Sequence, residues 1–157
     1  MKLLGFLSED AIILDMDAST KEAAIRELVQ KVIANGDAAK KDEEKIVQAV
    51  LDREARGSTG LGDGIAIPHV KDCNLVKGLT GAFGRSTAGI PFDTVDGHPV
   101  HLVFLILGGS GTADEHISVL RKLAALRMNE HFLRFLRDEK DERGVVDTIK
   151  EMAGSVA

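Results

Sequence analysis

Arg56-Gly57-Ser58-Thr59-Gly60-Leu61-Gly62-Asp63-Gly64-Ile65-Ala66-Ile67-Pro68-His69 joins a polar, glycine-rich loop to a short apolar run and ends on a histidine. Ile65-Ala66-Ile67 predicts a buried strand, stopped by Pro68, which has no amide hydrogen for a ladder. His69 then stands on a stiffened strand end, facing a loop rich in backbone N–H groups. Successive loop amides of this kind form concave anion sites. The stretch therefore predicts a histidine that handles a small anion.

On the N-terminal side, residues 11–16 (Ala-Ile-Ile-Leu-Asp-Met) predict a short buried strand. Ser19 and Glu22 have capping-box spacing and place a helix start near Thr20. Ile25, Leu28, Val29, Val32 and Ile33 recur at helical period, and Asn35-Gly36 ends the helix. Asp42, Glu43 and Glu44 open a second helix, where negative charge suits the dipole. Its apolar face is Ile46, Val47, Val50 and Leu51, and Gly57 stops it. Arg53 and Arg56 fall in its last turn, where on spacing alone they read as cations complementing the dipole.

On the C-terminal side, residues 79–85 predict a strand interrupted by Gly81 and Gly84, and Ile90-Pro91-Phe92 a brief extended piece. Asp96-Gly97 is a turn signal. Val100 to Leu107 is apolar nearly throughout, which predicts a central strand covered on both faces. Thr112 and Glu115 repeat the capping-box spacing and open a helix to about Arg127, with Ile117, Leu120, Leu123 and Ala124 inward. Helices near 129–138 and 143–153 follow. The order is β-α-α-β-β-β-α-α-α, with no internal repeat or linker, and predicts one domain over residues 1–157 with helices packed on a sheet.

A chain of 157 residues can bury a sizeable core. A net charge of −5, with no Trp or Tyr and six Phe, argues against nucleic-acid binding. Mixed-sign Lys40-Lys41-Asp42-Glu43-Glu44-Lys45 reads as a solvated helix entry. No apolar run reaches the roughly 20 residues of a membrane span, and Met1 to Leu7 lacks a signal-peptide pattern, so no direct membrane insertion is expected. The single cysteine, Cys73, fits a cytoplasmic protein. His98 and His101, with His116 elsewhere, make a poor metal site, because residues three apart on a strand point to opposite faces. His131 beside Phe132 reads as a solvated residue at a helix start.

Arg53-Glu54, Gly57-Ser58-Thr59-Gly60-Leu61-Gly62 and Gly64-Ile65-Ala66-Ile67-Pro68-His69 together resemble the fructose/mannitol-type enzyme IIA domains of the bacterial sugar phosphotransferase system. That family includes a standalone nitrogen-related regulatory branch. The likeness continues through Pro99 to Leu105 and Glu115-His116-Ile117 to Leu123-Ala124, essentially the whole chain. The fold expected is α/β, a three-layer α-β-α sandwich on a mixed sheet. The resemblance implies a phosphotransferase with a phosphohistidine intermediate. His69 is the phospho-acceptor, through Nε2; His116 supports it; Arg53 faces the phosphate. By spacing alone His116 reads as a half-buried histidine sharing its face with Leu120 and Leu123. Its glycine-rich approach, Gly108-Gly109-Ser110-Gly111-Thr112, departs from the proline-containing segment frequent in the family and predicts a mobile loop.

A neutral imidazole accepts phosphate reversibly near neutral pH, and positioned donors do most of the remaining work. The 57–64 amides and the Ser58 and Thr59 hydroxyls, with Gly60 between loop and strand, are the expected phosphate-binding groups. No metal, nucleotide or other cofactor is required. The resemblance implies phospho-HPr, or its nitrogen-branch relative, as donor and a IIB cysteine as acceptor in sugar uptake. Ile65, Val70 and Leu61 are the expected apolar docking rim. The alternative is a regulatory protein whose phosphorylation state switches binding to transporters or kinases, since phosphorylation adds about −2 charges.

Overall fold

The computed structural model describes residues 5–154. Its frame is set by β6 (Val100–Gly108), buried at every position but one. Leu102, Phe104 and Ile106 enter one core, and Val103, Leu105 and Leu107 enter the other. This is the two-sided burial expected of an unbroken apolar run. Against the first face pack α3 (Ala113–Arg127), α4 (Glu130–Asp138) and α5 (Glu142–Ala153) through Val119, Leu123, Phe132, Leu136, Val145 and Ile149. Against the second pack α1 (Lys21–Ala34) and α2 (Glu43–Ala55) through Ile25, Leu28, Val32, Ile46, Val47 and Val50. The three layers are therefore α-β-α. Among the described residues no helix is long and apolar enough to cross a membrane.

The sheet is mixed and has six strands among the described residues. β1 (Ile12–Ile13) lies parallel to β5 (Leu79–Ile90), which is antiparallel to β6. On the far side of β6, β3 (Ile65–Ala66) runs parallel to it and pairs antiparallel with β2 (Gly60–Gly62). β4 (His69–Val70) also pairs with β6, one step further along. Pro68 interrupts the ladder without ending it. It has no N–H to give, but its carbonyl accepts from Ile106 N at 3.0 Å and pairing resumes at His69.

Among the described residues the five α-helices span the expected segments, but five strands rather than three lie between α2 and α3, and α3 turns His116, Val119, Leu123 and Leu126 inward while Ile117 and Ala124 are exposed. The first cap is Thr20, whose Oγ1 accepts from Ala23 N at 3.2 Å, one residue beyond the expected Ser19. Thr112 does not form its capping box: its hydroxyl donates to Gly109 O at 2.7 Å. The loop expected at 60–64 is a hairpin around Asp63-Gly64, both at positive φ (57° and 79°). Such two-residue turns favour Asp-Gly. β1 is shorter than the expected 11–16: a 3-10 turn occupies Glu9–Ala11, and the chain bends after Ile13.

β5 is longer than expected, and its glycines are close-approach positions rather than breaks. A Cβ on Gly81 would strike the carbonyl oxygen of Leu105, and one on Gly84 the sulfur of Met16. Arg85 on the same strand donates to Leu14 O at 3.0 Å and to Leu136 O and Glu139 O at 3.0 and 2.6 Å. One guanidinium thus ties β5 to the chain beside β1 and to the C-terminal carbonyls of α4, which lack helical partners. Because relief at Gly81 would require main-chain movement, Gly81→Ala is expected to cost about 1–3 kcal/mol. In urea unfolding the midpoint should fall with the slope unchanged.

Candidate functional site

His69 and His116 meet at one end of the sheet, with ring centroids 5.5 Å apart and planes tilted by 56°. β4 places His69 beside Ile106 near the C-terminal end of β6. Chain leaving β6 at Gly108 turns into α3, whose first turn carries His116. This is the strand end where parallel-sheet folds place their ligands.

His69 is half-buried, and its Nδ1 lies 2.7 Å from Ile67 O. A carbonyl oxygen only accepts, so Nδ1 carries the proton and Nε2 keeps the free lone pair. Burial lowers the pKa of the ring below the ordinary imidazole value; the bond to Ile67 and the charge of Glu54 oppose this, and Arg53 reinforces it. His69 is therefore a neutral base over a wider pH range than a solvated histidine.

His116 is only 3% exposed, and neither ring nitrogen has a hydrogen-bond partner among the described residues. Burial, and then the neighbouring His69 and Lys71, push its pKa down to about 4, with Asp72 opposing. The glycine-rich approach to it is packed rather than slack. A Cβ at Gly108 would lie 2.7 Å from His116 Nδ1, and one at Gly109 would lie 2.7 Å from Val76 O. Gly109 N also donates to Gly78 O at 2.7 Å. The missing side chain at Gly108 is what lets the imidazole settle against the sheet.

Arg53, in the last turn of α2, is half-buried and donates to Gly57 O at 2.8 Å. Several amides of the 57–64 loop already have acceptors. Gly57 N donates to Glu54 O, Thr59 N to Glu54 Oε1, Gly60 N to Ser58 Oγ and Asp63 N to Asp96 Oδ2. The Ser58 hydroxyl donates to Phe92 O and the Thr59 hydroxyl to Glu54. Of the apolar rim, Ile65 is fully buried and cannot dock anything, whereas Leu61 and Val70 are half-exposed. Ile117, next to His116, is 47% exposed.

His98 and His101 lie at the other end of β6, away from this pair. His98 is exposed, and His101 Nδ1 donates to Ser86 O at 2.8 Å. His131 is exposed beside Arg134. One buried polar residue was missed: Glu54, at 6% exposure, lies against Thr59 and Lys21. Its signal was available. Ile46, Val50 and Glu54 are spaced by four, so a carboxyl falls on the apolar face of α2.

Residues 5–152 match the family model described as phosphoenolpyruvate-dependent sugar phosphotransferase system, EIIA 2. A fructose-specific EIIABC component of Bacillus subtilis is 34% identical over 151 residues, covering 96% of this chain; the chain spans 23% of that relative's length. Nitrogen regulatory protein IIA-Ntr from Neisseria meningitidis superposes with a TM-score of 0.82 at 30% identity, over 92% of this chain and 97% of that one. The complex of enzyme IIA and phosphorylated enzyme IIB for mannitol from Escherichia coli superposes at 0.75 with 27% identity, over 96% of this chain and 98% of that one.

The depressed His116 pKa has a consequence for stability. Its unfolded imidazole charges near pH 6.5 while the folded one stays neutral to about pH 4. The unfolded state then binds the extra proton, so this contribution is complete above pH 6.5 and is lost as pH falls. From pH 7 to pH 5 the wild type is expected to lose about 2 kcal/mol more than His116→Phe. Urea unfolding at the two pH values, with equal losses, would rule this out.

Proposed function

Because the chain belongs to the EIIA 2 family of the phosphoenolpyruvate-dependent sugar phosphotransferase system, we propose that it carries a phosphoryl group on Nε2 of His69. The observation behind this is the bond from His69 Nδ1 to Ile67 O, which leaves the other nitrogen as nucleophile beside a buried, unpartnered imidazole. The Nε2 lone pair attacks the phosphorus of a donor phosphohistidine, that of HPr or its nitrogen-branch relative. The donor's P–N bond breaks and its ring nitrogen takes the electron pair. Nδ1–H stays on Ile67 O throughout, so no proton leaves His69 during the attack. In the onward step an acceptor nucleophile, the cysteine thiolate of a IIB domain, displaces Nε2 from phosphorus.

His116 supports the phosphorylated form. A phosphoryl dianion reverses the local field, which favours a proton on His116 and gives its imidazole an acceptor. The N-terminal end of α3 adds a favourable partial charge. Arg53 can exchange Gly57 O for a phosphoryl oxygen, a stronger, charge-assisted bond. Ser58, Thr59 and Gly60 would join the phosphate site only by exchanging the bonds they now make.

A second reading follows from the full-length match to the Neisseria protein, which is named as a nitrogen regulator. There the phosphorylated His69 would switch an interface to other proteins, through the charge it adds beside exposed Ile117. Both readings predict that purified protein incubated with phospho-HPr, or its nitrogen-branch relative, gains one phosphate by intact mass. His116→Ala should gain it more slowly, and His69→Ala not at all. Onward transfer to a IIB domain would select the transport reading. Phosphate on His69→Ala would overturn the assignment of the nucleophile.

A further inference from the structure

We propose that Glu54 is a positioning residue for His69, acting through Thr59 and the main chain of Ile67. The path is continuous. Lys21 Nζ sits 3.1 Å from Glu54 Oε1. The same oxygen accepts from Thr59 N at 3.2 Å, and Glu54 Oε2 accepts from the Thr59 hydroxyl. Thr59 O accepts from Ile67 N at 3.1 Å, and Ile67 O accepts from His69 Nδ1 at 2.7 Å. Each link fixes the acceptor or donor of the next, and the last one sets the imidazole tautomer.

The bland account of Glu54 is that of a residue held only for stability. Its location argues for more. A carboxyl on the apolar face of α2 is costly to bury, and an apolar residue there would pack without that cost. Instead it is spent on the one loop residue whose carbonyl holds Ile67. Glu54 also follows Arg53 directly, so anchoring this turn of the helix fixes the origin of the Arg53 side chain on Gly57 O. Lys21 serves as the outer anchor: its ammonium lies over the Phe92 ring, 5.1 Å from the centroid, and Phe92 O receives the Ser58 hydroxyl. The loop is thus held at two adjacent residues.

The inference rests on the carrier reading only for its kinetic arm. The first measurement is 15N NMR of the imidazoles in unphosphorylated protein at mildly alkaline pH, which separates protonated from lone-pair nitrogens. In wild type His69 should show a protonated Nδ1. In Glu54→Leu and in Thr59→Val, which keeps Lys21 and Glu54 intact, the two His69 resonances should move toward each other as the tautomers exchange. Glu54→Gln, which retains an acceptor for Thr59, should restore the wild-type pattern. Transfer from phospho-HPr should fall roughly 10- to 100-fold in the first two variants and recover in the third, the scale of an ångström-size misplacement. Urea unfolding identifies any variant that has simply lost its fold, and Thr59→Val carries the test if Glu54→Leu does. Folded variants with a wild-type tautomer and wild-type transfer would overturn the proposal. Wild type that accepts no phosphate would overturn the carrier reading, and the NMR comparison alone would then decide the role of Glu54.

Discussion

Everything in this molecule hangs on the pairing of β6. A strand buried on both faces must present apolar side chains alternately to two cores, and this one does so from Leu102 to Leu107. Its neighbours are then constrained in register. β5 can lie against it because Gly81 has no side chain to meet Leu105 O. β3 and β4 can run along its other edge because Pro68, lacking an N–H, still offers a carbonyl to Ile106. The two histidines are by-products of the same register: one is paired opposite Ile106, and the other follows the glycines that end the strand. The 5.5 Å between their rings is therefore set by the sheet and not by a flexible loop.

Two imidazoles this close cannot both be charged in a desolvated site, and burial settles the matter in favour of neutrality for both. Neutrality suits the two differently. For His69 it preserves a lone pair on Nε2. For His116 it leaves a buried ring whose two nitrogens have no hydrogen-bond partner among the described residues, an arrangement that suits an incoming partner. An anion on His69 would be such a partner, and would raise the proton affinity of His116 as it arrived.

The long elements were legible because periodicity needs length. Five helices and β6 each carry enough apolar positions to declare a period, and their spans formed where expected, although α3 turns Val119 and Leu126 inward and leaves Ile117 and Ala124 exposed. The short pieces were not. β2 is Gly60-Leu61-Gly62, too brief and too glycine-rich to alternate, although Asp63-Gly64 is itself a hairpin signal. Gly84 read as a break in β5, yet its missing side chain is what admits Met16. The motif and the family likeness pointed to both histidines, and spacing alone read His116 as half-buried; the structure buries it further, in space left by Gly108. Free amides in the 57–64 loop were a reasonable reading of its glycines. The structure spends those of Thr59, Gly60 and Asp63 on Glu54, Ser58 and Asp96, because a loop pressed against a sheet must satisfy its backbone internally.

That internal satisfaction bears on how a carrier works. A phosphoryl group that is to be passed on must not be held much more tightly than by its donor or acceptor. If every loop amide and hydroxyl were free, phosphate binding would add several charge-assisted bonds with nothing lost, and the group would stay. In this reading a bond from the Ser58 hydroxyl to phosphate would replace the one it makes to Phe92 O, and a bond from the Gly60 amide would replace the one it makes to Ser58 Oγ. The net gain is the difference between two hydrogen bonds, about 1 kcal/mol apiece and not the full strength of either. A closed loop thus weakens the product state without weakening the nucleophile, whose lone pair is fixed from the other side by Ile67 O. Reversibility in this reading comes from the bonds the empty site already makes.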